Sequence, residues 1–228
     1  MKKNFILIFF SIFFLNSSSL SHVSHYKNIK SLKYGLFLNN QLIGTHIFNF
    51  SKANNDVLMV KSEGFFKVEK FGVTIMNYQN ESQEYYKSDR LIKFRSKTKQ
   101  NDKEKYVNID MKDTKVAIID GSSFKGEIDN NFIIGSWWNH EIIKNSKQIS
   151  PISGRVINQK VDFLGKKKIL VNEKQYNALS FHFISDNNKP LNKKKLNMKV
   201  WYDAKTLLWI KASYEKLGTW EYRLLEAV

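Results

Sequence analysis

The sequence predicts a mainly β protein: a large curved antiparallel meander or a partly closed barrel, with one short helix near Ser136–Ile143. Three features carry this expectation. Apolar and polar residues alternate with period two along most of the chain. Short clusters rich in Asn, Asp and Gly separate the alternating runs, and strands joined by such turns pair antiparallel. No long stretch repeats at the helical period of about 3.6 residues between caps. A meander of about ten or more strands curls or closes on itself.

Each element follows from the local pattern. Tyr34, Leu36 and Leu38 share one face of a first strand; Asn39-Asn40 turns it into Gly44–Phe50. Val57–Ser62 and Phe65–Tyr78 are further β-rich runs. In Leu91–Gln100, Ile92, Phe94, Ser96 and Thr98 oppose Leu91, Lys93, Arg95 and Lys97, giving one covered face and one wet, basic face. Val107, Ile109 and Met111 repeat the pattern, and Asp113-Thr114 turns the chain into Val116–Ile119. The stretch Gly121–Gly135 reads as a long loop or crossover. Ser136 can cap a two-turn helix that ends at Ser150-Pro151. Strands return at Val156–Phe163, then after a Gly165-Lys166 turn at Lys168–Val171, and at Tyr176–Ile184. Asp186–Lys195 is a polar loop. Leu196, Met198, Val200 and Tyr202 alternate, and Asp203–Thr206 is a turn whose Asp can accept backbone N–H groups. Leu207–Tyr214 and Thr219–Leu225 close the chain around a Leu217-Gly218 turn.

The N-terminus carries a different kind of information. Lys2 and Lys3 precede an apolar run, Phe5–Leu15, and a small-residue patch from Ser17 to Ser21. That order reads as a secretory signal peptide over residues 1–21, cleaved near Ser19 or Ser21. The run is too short for the ~20 apolar residues of a membrane span. The expectation is one β domain over residues 22–228, periplasmic or secreted, with no transmembrane anchor in the mature chain.

Composition narrows the functional classes. Hydrophobic residues make up 42% of the chain, enough for a packed core without any cysteine to staple it. The absence of cysteine removes thiolate zinc sites, cysteine nucleophiles and a lipid-acceptor cysteine. A net charge of +16 favours acidic partners. The plainer source of that charge is a compositional bias toward Lys, Asn and Ile, and export argues against nucleic acid. The tight runs Lys166-Lys167-Lys168 and Lys193-Lys194-Lys195 sit beside turn signals and read as solvated tips.

Catalytic motifs are absent from the sequence: there is no Gly-x-Ser-x-Gly elbow, His-Glu-x-x-His pair or phosphate-binding glycine loop. His22 and His25 fall in the N-terminal segment, and His46 and His182 lie on strands among apolar neighbours. His140-Glu141 is the one local acid–base pair, and adjacent side chains diverge in helix and strand alike. No catalytic residue, metal ligand or cofactor is assigned. The aromatic residues carry the signal instead. Trp137, Trp138, Trp201, Tyr202 and Trp209 are the candidate ligand-binding residues, lining an apolar pocket in a curved sheet. The bland alternative is that they fill the core.

Several pieces resemble a known family. They are Tyr34, Leu36 and Leu38 with Ile43-Gly44 and His46; Gly135-Ser136-Trp137-Trp138; the Gly165 hairpin; and Val200-Trp201-Tyr202-Asp203 followed by Trp220-Glu221-Tyr222 and Leu224. Together they are similar to exported bacterial proteins catalogued as a domain of unknown function, whose layout is distantly similar to the β-sheets of periplasmic lipoprotein carriers. The resemblance implies fold and compartment and brings no catalytic residues. The functional expectation is a non-enzymatic binder of a hydrophobic or amphipathic molecule of the cell envelope, such as a lipid or another amphiphile. The rival is an envelope scaffold acting through contacts with another protein, and a hydrolase ranks third.

Overall fold

The computed structural model describes residue 26, residues 28–53 and residues 56–228. The expected signal peptide, His22 and His25 lie outside the described residues. Among the described residues the chain forms fifteen strands: β1 Ser31–Leu38, β2 Gln41–Ala53, β3 Val57–Lys70, β4 Val73–Lys87, β5 Arg90–Gln100, β6 Lys103–Met111, β7 Val116–Gly121, β8 Lys125–Asp129, β9 Ile133–Ile134, β10 Lys147–Ile149, β11 Val156–Val171, β12 Lys174–Ser185, β13 Asn197–Asp203, β14 Trp209–Glu215 and β15 Thr219–Ala227.

All fifteen belong to one sheet, in the order β8-β7-β6-β5-β4-β3-β2-β1-β15-β14-β13-β12-β11-β10-β9. Every neighbouring pair is antiparallel except β9 and β10. The first and last strands pair with each other, Leu36 opposite Tyr222 and Leu38 opposite Trp220. The open seam therefore lies in mid-chain, between β8 and β9, which only residues 130–132 separate. The sheet curls until its far edge meets the inner face of β5–β7: Ile134 and Ile149 share a buried cluster with Phe94, Val107, Ile109 and Ile119. The loop after β10 fastens this approach, with Ser96 Oγ donating to the Pro151 carbonyl at 2.5 Å. A second, larger cluster fills the rest of the interior around Tyr34, Phe48, Trp138, Phe183, Tyr202 and Trp209.

The expected strand pattern stands with several corrections. Phe65–Tyr78 is not one run: Phe71 and Gly72 adopt left-handed φ of 52° and 74° and form the hairpin between β3 and β4. Apolar residues recur on both sides of that turn and no Asn or Asp marks it, so the strand reading ran through it. Conversely, Gly165 does not end a strand. It is a bulge with φ 100° inside the long β11, where pairing slips between Phe163 and Gly165. The expected loop Gly121–Gly135 contains β8 and the short β9. At β5, a bulge opposite Tyr85 and Tyr86 turns Leu91 toward the core and leaves Ile92 exposed, while Phe94, Ser96 and Thr98 are buried as expected.

The expected helix over Ser136–Ile143 is a single 3-10 turn, His140–Lys144, capped by Asn139 and not by Ser136. Two neighbouring tryptophans cannot both point inward from one helical face. Here the segment enters the barrel as an irregular plug whose carbonyls are taken by side chains of the wall and of Tyr26, which precedes β1. Tyr202 donates to Trp137 O at 3.0 Å, Tyr26 donates to Trp138 O, and Gln159 Nε2 donates to Ile142 O at 3.1 Å and Asn145 O at 2.7 Å. Buried backbone polar groups need such partners, and with them a helix is unnecessary.

Candidate functional site

The aromatic residues singled out by sequence divide between the interior and its margins. Trp138, Tyr202 and Trp209 are sealed in the core, while Trp137 and Trp201 are half-buried. Trp138 Nε1 donates to Glu84 Oε1 at 3.0 Å, and Tyr86 donates to Glu84 Oε2 at 2.5 Å. Burial pushes the Glu84 carboxyl up from its ordinary value, and the hydrogen bonds from Tyr86 and Trp138 oppose that push. Trp137 stands edge-on to Phe183 with ring centres 5.0 Å apart. Tyr202 and Trp209 pair across β13 and β14. Trp209 stacks on Tyr34 at 4.0 Å, and the Tyr34 hydroxyl donates to the Trp209 carbonyl at 2.8 Å. Trp201 pairs instead with Lys211, whose ammonium lies 5.6 Å from the indole. Side chains alternate along a strand, so Trp201 and Tyr202 point to opposite sides of the wall. Trp201 and Trp209 thus do not line one surface.

The histidines are dispersed. His46 packs on Phe48 at 4.3 Å between ring centres; its Nε2 is sealed without a hydrogen-bond partner, although other parts of the residue remain half-buried. Burial lowers its pKa to about 4. His182 bonds Asn197 at 2.7 Å. His140 Nε2 and Glu141 Oε1 approach within 3.6 Å at the plug. Among the described residues no group of three or more His, Cys, Asp or Glu could hold a metal ion.

A hollow lies elsewhere and arises from unequal strand lengths. Pairing of β12 with β13 stops at Ala178–Asp203, and pairing of β15 with β14 stops at Lys211–Arg223. Lys174–Asn177 and Leu224–Ala227 therefore overhang the turn between β13 and β14. Across the opening, Asn172 Nδ2 donates to the Leu224 carbonyl at 2.8 Å. The result is a framed window in the wall, with a hollow of about 570 Å³. Tyr176, Leu208, Leu224 and Leu225 give it an apolar lining, and Lys166, Lys174 and Lys205 stand around it.

The electrostatics of the window are one-sided. Lys174 Nζ sits 5.1 Å from the centre of the Tyr176 ring, and among the described residues none of the three lysines has a carboxylate within ion-pair distance. Asp203 lines the same hollow, but its Oδ2 already accepts from Lys205 N at 3.1 Å, Thr206 N at 2.8 Å and Thr206 Oγ1 at 2.9 Å. Glu226 is the other acid at the margin. A second hollow of about 610 Å³ flanks the plug, with a more polar lining that includes Arg90, Asn130, Asn139, Glu141 and Asn145.

Sequence reasoning overlooked the window because its parts are far apart in the chain and individually plain. The available signals were the Lys166 run, set aside as a solvated tip, and the well-patterned Asp203 turn.

None of the curated proteins matches the chain. Among solved structures, it is similar to a β-barrel-like protein of the domain of unknown function DUF1849 from Brucella abortus, with a TM-score of 0.59 and 12% identity over 87% of this chain and 96% of that one. At that identity the likeness is one of fold. The model of the family described as Domain of unknown function (DUF6134) matches residues 34–225, and the chain belongs to that family.

Proposed function

We propose that the protein is an exported, non-enzymatic binding domain whose window takes an amphipathic anion of the cell envelope, such as a fatty acid or a lipid phosphate. The acyl part lies against Tyr176, Leu208 and Leu224; Lys166, Lys174 and Lys205 hold the head group. One observation carries the reading: a framed hollow combines an apolar lining with three lysines that have no carboxylate partner among the described residues. Small-molecule sites have this character, mostly apolar with a few placed polar groups. Hydrogen-bonded ammonium groups at an apolar edge favour a carboxylate or phosphate over a neutral head group. Export rests on the basic, apolar and small-residue order of the first 21 positions.

Calorimetric titration with decanoate, decyl phosphate and the neutral decyl maltoside tests this. The anions bind saturably and more tightly, and the preference fades as salt rises. Replacing Lys166, Lys174 and Lys205 together by Gln weakens anion binding about tenfold, a loss of roughly 1.4 kcal/mol, and leaves the neutral detergent unchanged. Equal binding of all three amphiphiles, or an unaltered triple variant, refutes the assignment.

A further inference from the structure

At the opposite end of the barrel from the window, the wall ends in bare apolar tips. Beyond Phe66, β3 no longer pairs with β2, and before Tyr78, β4 has no partner on β5. The two strands continue to pair with each other as far as Lys70–Val73. A two-stranded ribbon thus stands clear of the rim, its base clasped where Asn101 Oδ1 accepts Asn77 N at 2.8 Å. The ribbon carries Phe71 at its apex, 93% exposed, with Val73 at 66% and Ile75 at 53%. Antiparallel order places the β14–β15 turn and the β12–β13 loop at this same end. Thr219 N donates to Asn39 Oδ1 at 2.9 Å, tying the β14–β15 turn to the β1–β2 turn there. Leu217 tops the β14–β15 turn, 99% exposed, and Leu191 projects from the β12–β13 loop at 56%.

The turn chemistry marks two of these tips as unusual. Asn39-Asn40, Ser88-Asp89 and Asn172-Glu173 place polar residues in the left-handed region, as tight hairpins prefer. Phe71-Gly72 and Leu217-Gly218 place bulky apolar residues there, with φ 52° and 54°. Such side chains are disfavoured in that conformation, and neither gains burial from it. Each tip is also flanked by exposed lysines: Lys70 beside Phe71, Lys216 beside Leu217, and Lys189, Lys193 and Lys195 around Leu191. The nearby acids are fewer: Glu69 is paired with Lys67 at 2.6 Å, Glu215 accepts from Thr219 at 3.0 Å, and Asp186 stands at the start of the β12–β13 loop.

We propose that this end of the barrel docks on an anionic lipid bilayer, with Phe71, Leu191 and Leu217 entering the interface and the flanking lysines resting among the head groups. Several separate apolar points spread along a rim suit a plane, whereas a protein groove calls for one continuous strip. Apolar insertion combined with basic residues is the chemistry of reversible attachment to acidic membranes.

Vesicle sedimentation with the folded domain tests the proposal. The protein sediments with phosphatidylcholine vesicles that contain phosphatidylglycerol, less so as salt rises, and hardly with phosphatidylcholine alone. The double variant Phe71→Asn, Leu217→Asn binds at least about tenfold more weakly, because two of the three apolar anchors are gone. Asn is at ease in the left-handed region, so the variant melts at or above the wild-type temperature. Failure of the wild-type protein to sediment, or equal sedimentation of the double variant, overturns the proposal. So does a dimer that needs Phe71 and ignores vesicles, which would make this end a contact between copies.

Discussion

The carboxylate of Glu84, on β4, accepts the indole N–H of Trp138 at 3.0 Å and so joins the barrel wall to the plug that fills it. Tyr86 occupies the other oxygen, so the carboxylate is fully engaged out of water. Replacing Glu84 by Ala strands two buried donors at about 1–3 kcal/mol each, and chemical denaturation should show a loss of roughly 2–6 kcal/mol. Because burial raises the native carboxyl pKa, the native state takes up this proton before the unfolded chain does. The associated stability is present below the ordinary Glu range and is lost as pH rises through the raised native value. Glu84→Gln should abolish that slope.

His46 should produce the opposite trend. Its native pKa of about 4 lies below the ordinary 6.5, so on acidification the unfolded chain binds a proton first. Stability is intact above pH 6.5 and declines as pH falls to about 4, by roughly 2–3 kcal/mol from this residue. Urea titrations across that window should show His46→Phe with a flatter acid limb. An unchanged limb would mean that the ring is solvated.

Two glycines should respond differently to Ala. At Gly44 an added Cβ would sit 2.0 Å from the Phe65 carbonyl oxygen and 2.5 Å from Phe66 Cα, both fixed by the β2–β3 pairing. Backbone must move, and a thermal melt should show a loss of at least about 3 kcal/mol, at the upper end of overpacking costs. Gly165 has open space around it and carries only the cost of its φ of 100°, on the order of 1–3 kcal/mol.

The tryptophans should rank by burial. Trp138→Ala should cost about 3–5 kcal/mol, as for a sealed core residue. Trp220 is half-buried: it stacks on Tyr214 at 5.7 Å, meets Phe66 edge-on at 5.6 Å and donates to the Lys216 carbonyl at 3.0 Å. Its truncation should cost about 2 kcal/mol, less than a full core position. Equal losses would show that Trp220 is as well packed as Trp138.

Asp203→Ala should lower stability by about 1 kcal/mol, because three donors of the β13–β14 turn lose their shared acceptor. Affinity for decyl phosphate should stay close to wild type. A normal melt with binding abolished would instead make Asp203 a direct ligand contact.

The fold was largely legible because most strands bury one face. Alternation placed Phe94, Ser96 and Thr98 inside, and Asn or Asp marked the turns at Asn39-Asn40 and Asp203–Thr206. It failed where the turn was built from Phe71-Gly72, whose apolar apex looks like more strand, and at Gly165, where a glycine bends a strand without ending it. It also failed at Ser136–Ile143, since apolar residues there serve a plug with no period of its own. The window was illegible for a different reason. It exists because β13 and β14 are shorter than β12 and β15 at one end, and strand length relative to a distant neighbour is a property of register, which local pattern does not encode.

The pairing of β1 with β15 sets a schedule for biogenesis. Tyr34 meets Leu224 across some 190 residues of chain, so β1 has its β2 neighbour early and its second neighbour only when the final strand has been made. At synthesis rates of about 5–20 residues per second, that edge stands bare for roughly 10–40 s. A chain that stops short of Thr219 never covers it, and an uncovered edge recruits other strands. Docking of β15 is thus the event that retires the bare edge of β1, and damage to that strand should be felt as insolubility before it is felt as lost binding.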